Sequence, residues 1–201
     1  MTELSTLEPY LRAYVRETEA ALEAPTLLEA MRRIVPILLR ARTEDRTVFF
    51  FGNGGSASTA SHFVTDIAKV AGGTEAHGKG RRFRCVALND NMPSVTAWAN
   101  DVDYSKVFAG PLRSLAEKGD VVVAISGSGN SPNVLEGVRA AREMGLTTIG
   151  LTGIGGGKLK DLVDVAVVVP SNSMQHTEDL HLILLHLLTA YLRDEQPSSP
   201  R

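Results

Sequence analysis

Gly52-Asn53-Gly54-Gly55-Ser56-Ala57-Ser58-Thr59-Ala60-Ser61-His62-Phe63-Val64-Thr65-Asp66 is the stretch around which the chain is organised. A short apolar, β-rich run, Thr47 to Phe51, precedes it and a helical pattern follows, so the glycines fall where a buried strand turns into a helix. Gly54 and Gly55 let the backbone approach an anion, and the free N–H groups of the first helical turn face whatever binds there. Ser56 is the expected helix cap. Further along the same helix, His62 and Asp66 stand four residues apart on one face, a candidate acid/base or metal pair.

Two nucleotide motifs come close and fail. Gly52 to Ala57 fits G-x-G-x-x-A, but no acidic residue closes a following strand at the usual distance of about 20 residues. Gly153 to Lys158 reads GIGGGK, and it lacks both the first glycine and the final hydroxyl of a P-loop.

Downstream, apolar runs at Val48 to Phe51, Phe83 to Leu88, Val121 to Ile125, Thr147 to Leu151 and Val165 to Val169 alternate with helical or loop segments. The expected fold is α/β, a five-stranded parallel sheet flanked by helices in the doubly wound, flavodoxin-like manner. Ligands of such sheets bind beyond the carboxyl ends of the strands. The residues there are rich in hydroxyl, amide and glycine: Asn53 to Ser56, Asn89 to Asn91, Ser126 to Ser131, Thr152 to Gly157 and Ser171 to Ser173. The second of two cradles, Ile125-Ser126-Gly127-Ser128-Gly129-Asn130-Ser131-Pro132, enters a helix with Ser131 as cap and Pro132 at its first position. Its serines and backbone amides suit a phosphate without any lysine.

Ahead of the sheet, Leu4 to Leu22 and Thr26 to Arg42 read as two amphipathic helices, with Pro36 expected to bend or split the second. They bury their stripe either on their own domain or against another subunit. Residues 1–201 read as one domain: helices over 1–45, an α/β core over 46–194 and a disordered tail over 195–201. With 21 basic against 23 acidic side chains, no charge footprint calls for nucleic acid. No apolar run approaches the roughly 18 residues of a membrane span, and the start MTELSTLEPY has no signal-peptide pattern. The single Cys85 reads as a small buried hydrophobe, and a reducing cytoplasm is the expected setting. Gly72 to Arg82 reads as a mobile, locally basic loop with a solvated His77, and His176 as loop surface.

Taken together, GNGGSAS at 52–58, Ala99-Asn100-Asp101, ISGSGNSPNV at 125–134, LTG with the following GGGK at 151–158, and a terminal helix with Glu178, His181 and His186 resemble the sugar isomerase (SIS) domain family, most closely its phosphoheptose isomerases. The resemblance covers nearly the whole chain. It implies conversion of sedoheptulose 7-phosphate to D-glycero-D-manno-heptose 7-phosphate, with no nucleotide cofactor, in a homotetramer whose sites lie between subunits. By the same resemblance Gly54, Gly55, Ser56, Ser126, Gly127, Ser128 and Ser131 hold the phosphate or sugar hydroxyls, with Asn53, Asn100 and Asp101 near the sugar. The implied ligands of one Zn²⁺ per chain are His62, Asp66, Glu178 and His186, and the implied catalytic groups are Asp66, Glu178 and His186. Asp66 stands where the family has glutamate, Glu178 where it has glutamine, and Gln175 where it has aspartate. Local geometry alone favours His181 over His186 as Glu178's neighbour, since one turn separates the former pair and about 12 Å of rise the latter. His181 is therefore expected as an alternative ligand or as support to the ligands. The other functional class is a non-catalytic module of the same fold, a sugar-phosphate sensor or a replication-initiator-binding protein, and the retained carboxylates and imidazoles favour an enzyme. The departures also fit an isomerase of a different ketose phosphate.

Overall fold

The computed structural model describes residues 6–71 and 82–194. Both the 72–81 part of the expected basic loop, with His77, and the expected tail at 195–201 lie outside them. The elements run α1 Leu7–Leu22, α2 Pro25–Thr43, β1 Thr47–Gly52, α3 Gly55–Asp66, β2 Arg84–Ala87, α4 Met92–Asp101, α5 Ala109–Leu115, β3 Val121–Ile125, α6 Pro132–Glu143, β4 Thr147–Thr152, α7 Leu159–Leu162, β5 Val165–Val168 and α8 Met174–Asp194. All strand pairs are parallel, in a five-stranded sheet of order β2-β1-β3-β4-β5.

Such a sheet is covered on both faces, which explains why its strands read as unbroken apolar runs. Val48 and Phe50 of β1 face a core shared with Leu27, Ile34 and Leu38 of α2, Phe63 of α3 and Leu184, Leu185 and Leu188 of α8. On the other side Phe49 and Phe51 meet Leu112 of α5 and Val134, Val138 and Ala141 of α6. The chain leaves β1 toward β2 on one side and later returns to place β3 on the other. The crevice at the carboxyl ends of β1 and β3 is thus the switch point where a ligand is expected.

Two local expectations change. Pro36 does not split α2, which runs unbroken from Pro25 to Thr43. Pro36 faces solvent, where the carbonyl it leaves free is open to water, while Ile34 and Leu38 are buried on either side. The helical pair also divides its loyalties: α2 is buried in its own domain, whereas α1 leaves Leu7, Tyr10, Leu11 and Val15 more than half exposed. Cys85 is half-buried on the edge strand β2, and burial pushes its thiol up to about 12. No described helix is long and apolar enough to cross a membrane.

Candidate active site

The crevice between β1 and β3 holds a cavity of about 280 Å³ lined by Asn53, Gly54, Gly55, Ser56, Ile125, Ser126, Gly127, Ser128, Ser131, Met174 and Glu178. Both cradles read from the sequence therefore meet at one place, joined by the start of α8. Larger hollows exist, such as one of about 720 Å³ between α1 and the segment after β5, but it lies away from the glycine- and serine-rich ends of β1 and β3. Chemistry, rather than volume, selects the smaller one.

Backbone geometry builds the floor. Gly54 has φ of +53° and is the residue that caps α3, so the expected Ser56 cap is replaced by a glycine turn. Ser56 is instead the second residue of the helix and is buried, with its backbone N–H among those the first turn leaves open. Ser131 does precede α6, yet its side chain makes no capping bond; its Oγ lies 3.2 Å from that of Ser126. In the same loop, Ser128 Oγ accepts from the Asn130 N–H at 3.2 Å, which leaves its own proton for a ligand.

Asn53 is held by partners that the sequence did not single out. Its amide exchanges hydrogen bonds of 2.9 and 2.8 Å with that of the buried Asn133, and Tyr104 Oη donates to Asn53 Oδ1 at 3.2 Å. One N–H of Asn53 remains for a ligand. Asn133 lies inside the quoted ISGSGNSPNV stretch, so an amide beginning a helix beside the cradle was the available signal.

A second group of side chains assembles farther down α3 and α8. His62 Nε2 and His186 Nε2 are 3.1 Å apart, and both face Asp66 Oδ2, at 3.3 and 3.5 Å. The three donor atoms fall within 4.8 Å of one another. Two imidazoles and a carboxylate make a metal-binding set with a position left open, the donor choice of catalytic zinc. This fits the implied metal in all but one respect. Glu178 does not join the group: its carboxylate lies at the cradle, against Gly55. Eight residues of helix separate it from His186, and side-chain length does not close that gap in this conformation.

The two assemblies are the ends of one groove. Glu178 meets Gly55 at the start of both helices and His186 meets Asp66 farther on, so α3 and α8 run side by side in the same direction. From Gly55 to His62 the axial rise is about 10 Å.

Other expected site residues lie elsewhere. Asn100 and Asp101 are exposed at the end of α4, where Asn100 Nδ2 donates to Asp101 Oδ1 at 2.7 Å, and neither lines the cavity. Gln175 is exposed in the first turn of α8, with Oε1 accepting from Ser173 Oγ at 3.2 Å. His176 is buried, not on a loop surface, its ring 3.9 Å from that of Tyr14 and its Nδ1 3.6 Å from Glu17. His181 is 1% exposed and stands apart from the metal-type cluster. Neither of its ring nitrogens meets a partner with hydrogen-bond geometry among the described residues, and burial lowers its pKa to about 4, offset only in part by the Thr152 backbone.

Residues 12–153 match the family model described as the SIS domain. The chain is 36% identical over 176 residues to the phosphoheptose isomerase of Helicobacter pylori, covering 88% of each. It is 37% identical over 169 residues to the probable phosphoheptose isomerase of Thermoplasma acidophilum, covering 84% of this chain and 90% of that one. Among solved structures, phosphoheptose isomerase GmhA from Neisseria gonorrhoeae superposes with a TM-score of 0.85 at 30% identity, over 96% of this chain and 100% of that one.

Proposed function

The chain belongs to the SIS domain family, among its phosphoheptose isomerases, and from that premise we propose that it interconverts sedoheptulose 7-phosphate and D-glycero-D-manno-heptose 7-phosphate. The observation that carries this reading is the spacing of the two ends of the groove. An extended chain advances about 1.2 Å per bond, so the seven or so bonds from phosphorus to C2 of a heptulose 7-phosphate span about 8 to 9 Å. The cradle and the imidazole cluster are separated by about the same rise along α3. A sugar whose phosphate rests on Ser56, Ser126, Ser128 and Ser131 thereby brings its carbonyl end to Asp66 and His186.

Proton transfer there needs no redox partner, because ketose and aldose are isomers. Asp66 turns Oδ2 to both imidazoles, and Oδ1 has no hydrogen bond among the described residues, so Oδ1 is the base. Oδ1 takes the proton from C1; the C–H electron pair becomes the C1=C2 bond, and the carbonyl pair moves to O2. His186 gives a proton to O2 and recovers one from O1, while Asp66 returns its proton to C2, leaving the aldehyde at C1. His62 keeps Asp66 and His186 in register. A Zn²⁺ held by His62, Asp66 and His186 would supply Lewis-acid stabilisation of the oxygen on which charge develops, in place of the proton from His186. Opening nucleotide-activated heptose biosynthesis is the role that follows for such a product.

We further propose a homotetramer of this chain. Leu7, Tyr10, Leu11 and Val15 of α1 and Ile183, Leu187 and Tyr191 of α8 form exposed apolar rows at helical spacing that partner subunits would cover. Light scattering at micromolar concentration should give the tetramer mass; a monomer overturns this assembly.

The function is tested by incubating the protein with sedoheptulose 7-phosphate in deuterated water and following product by NMR. Aldose formation with deuterium at C2 is expected. Tight binding with no turnover would return the chain to the class of binding modules.

A further inference from the structure

Tyr104 is 55% exposed, yet its hydroxyl reaches Asn53 Oδ1 at 3.2 Å, and Asn53 is part of the wall of the serine-lined cavity. The 3₁₀ turn that carries it, Tyr104–Lys106, is anchored on both sides of the ring. Ahead of it, Asp103 Oδ1 accepts from the Ser105 N–H at 2.8 Å. Behind it, Lys106 Nζ donates to Glu136 Oε2 of α6 at 2.6 Å, and Val107 and Phe108 are buried in the core they share with Val134 and Val138 of α6. The ring is therefore held out from a fixed support.

The polarity of its hydroxyl is set by a chain of bonds that begins on the backbone. The N–H of Val134, in the first turn of α6 and so without a helical carbonyl, donates to Asn133 Oδ1 at 3.0 Å. That fixes which end of the Asn133 amide is oxygen. Asn133 Nδ2 then donates to Asn53 Oδ1 at 2.8 Å, and Asn133 Oδ1 accepts from Asn53 Nδ2 at 2.9 Å. With Asn53 oriented in its turn, the atom that faces Tyr104 is an oxygen, so the phenol must donate. Its one proton is committed to Asn53, and toward a ligand Tyr104 Oη can only accept. Asn53 is the complement, because its oxygen already takes two bonds and its remaining N–H can only donate.

A donor and an acceptor joined by one hydrogen bond match a vicinal diol, in which one hydroxyl oxygen receives a proton and its neighbour gives one. We propose that Tyr104 is a specificity-determining residue that, with Asn53, reads the diol at C5 and C6 of the sugar phosphate, Tyr104 Oη accepting from one of the two hydroxyls. The proposal rests on reading the cavity as the phosphate subsite. Its place along the sugar follows from Asn53, which shares the cavity wall with Ser56 and Ser128, since C6 and C5 are the first hydroxyl-bearing carbons after the phosphorylated C7. A site built to pair a hydroxyl discriminates against the analogue that lacks it, because its own polar group is then left without that partner.

The probes are heptitol 7-phosphate, which has no carbonyl and cannot turn over, and its 5-deoxy and 6-deoxy forms, with binding followed by titration calorimetry. Tyr104→Phe keeps the ring and deletes only the hydroxyl. It should weaken binding of the full heptitol phosphate about fivefold, the size of one neutral hydrogen bond. For one of the two deoxy forms, the one without the hydroxyl that Tyr104 accepts from, the same substitution should change affinity by less than about 1.5-fold, because the partner is already gone. An equal loss with all three probes would make Tyr104 only a prop for Asn53 and overturns the proposal. So does unchanged affinity for all three in Tyr104→Phe while Ser128→Ala weakens binding of the full heptitol phosphate, a result that keeps the phosphate in the cavity. Ser128→Ala without effect removes the phosphate from the cavity, and the proposal falls with that reading.

Discussion

The two ends of the α3–α8 groove are built on different principles. The cradle is made from two short contiguous segments, 53–56 and 126–131, whose backbone turns and hydroxyls need only the strand ends above them. The cluster is made from His62, Asp66 and His186, which are brought together by docking a helix that arrives 120 residues later. Each half of the proposed anion site is thus local in sequence and tolerant of small errors. Proton transfer depends on tertiary placement, where a displacement of about 1 Å is costly.

The largest effect should come from the end that rests on convergence. Asp66→Asn keeps the size of the side chain and its contact with both imidazoles but cannot accept a proton from carbon. It should lower kcat by about 10³-fold, within the range of general base catalysis, with KM changed by less than about threefold. Steady-state kinetics and loss of solvent deuterium exchange at C1 measure this together. Retained exchange in Asp66→Asn with loss in Glu178→Gln would move the base to the cradle and dissolve the division between the two ends.

The same division explains what was legible beforehand. The five strands were readable because burial on both faces makes each an uninterrupted apolar run, and Val121 to Ile125 fell where expected. Both cradles were readable because glycine and serine at a strand end have few other uses. Glu178 was misplaced from the cluster because its partner at Gly55 is a steric relation across the groove that no spacing encodes. His176 looked like a surface residue because its cover, Tyr14 and Glu17, comes from α1 more than 150 residues earlier. Ser56 looked like a cap because glycine's freedom at φ of +53° competes silently with a side-chain bond.

Between the ends, α8 is seated by His181, whose burial ties both halves of the comparison to pH. Its pKa in the folded chain is lowered to about 4, below the unfolded value, so the unfolded chain binds the proton first. The stability it contributes is complete above about pH 6.5 and is lost as pH falls toward about 4, by about 3 kcal/mol in all. Denaturant melts at descending pH should show that loss, and His181→Gln should flatten it while lowering stability at neutral pH. An acid limb unchanged by the substitution would place the titrating group elsewhere.

The smallest effect should come from the cradle, where several donors share one ligand. Ser126 and Ser131 face each other, so a proton of that pair is committed between them, whereas Ser128 Oγ accepts from Asn130 and keeps its own hydrogen for the phosphate. Ser128→Ala removes one charge-assisted hydrogen bond while leaving backbone N–H groups and the other hydroxyls in place. A loss of about 1.5 kcal/mol, or about tenfold, follows for binding. With the phosphate in the cradle as proposed, about 8 Å from the reacting carbons, ground state and transition state lose that contact alike. KM for sedoheptulose 7-phosphate should therefore rise about tenfold with kcat changed less than about twofold. A fall in kcat as large as the rise in KM would mean that the cradle does more than hold. Its serines would then be positioning the carbonyl end through the sugar chain, and the two ends of the groove would be one device.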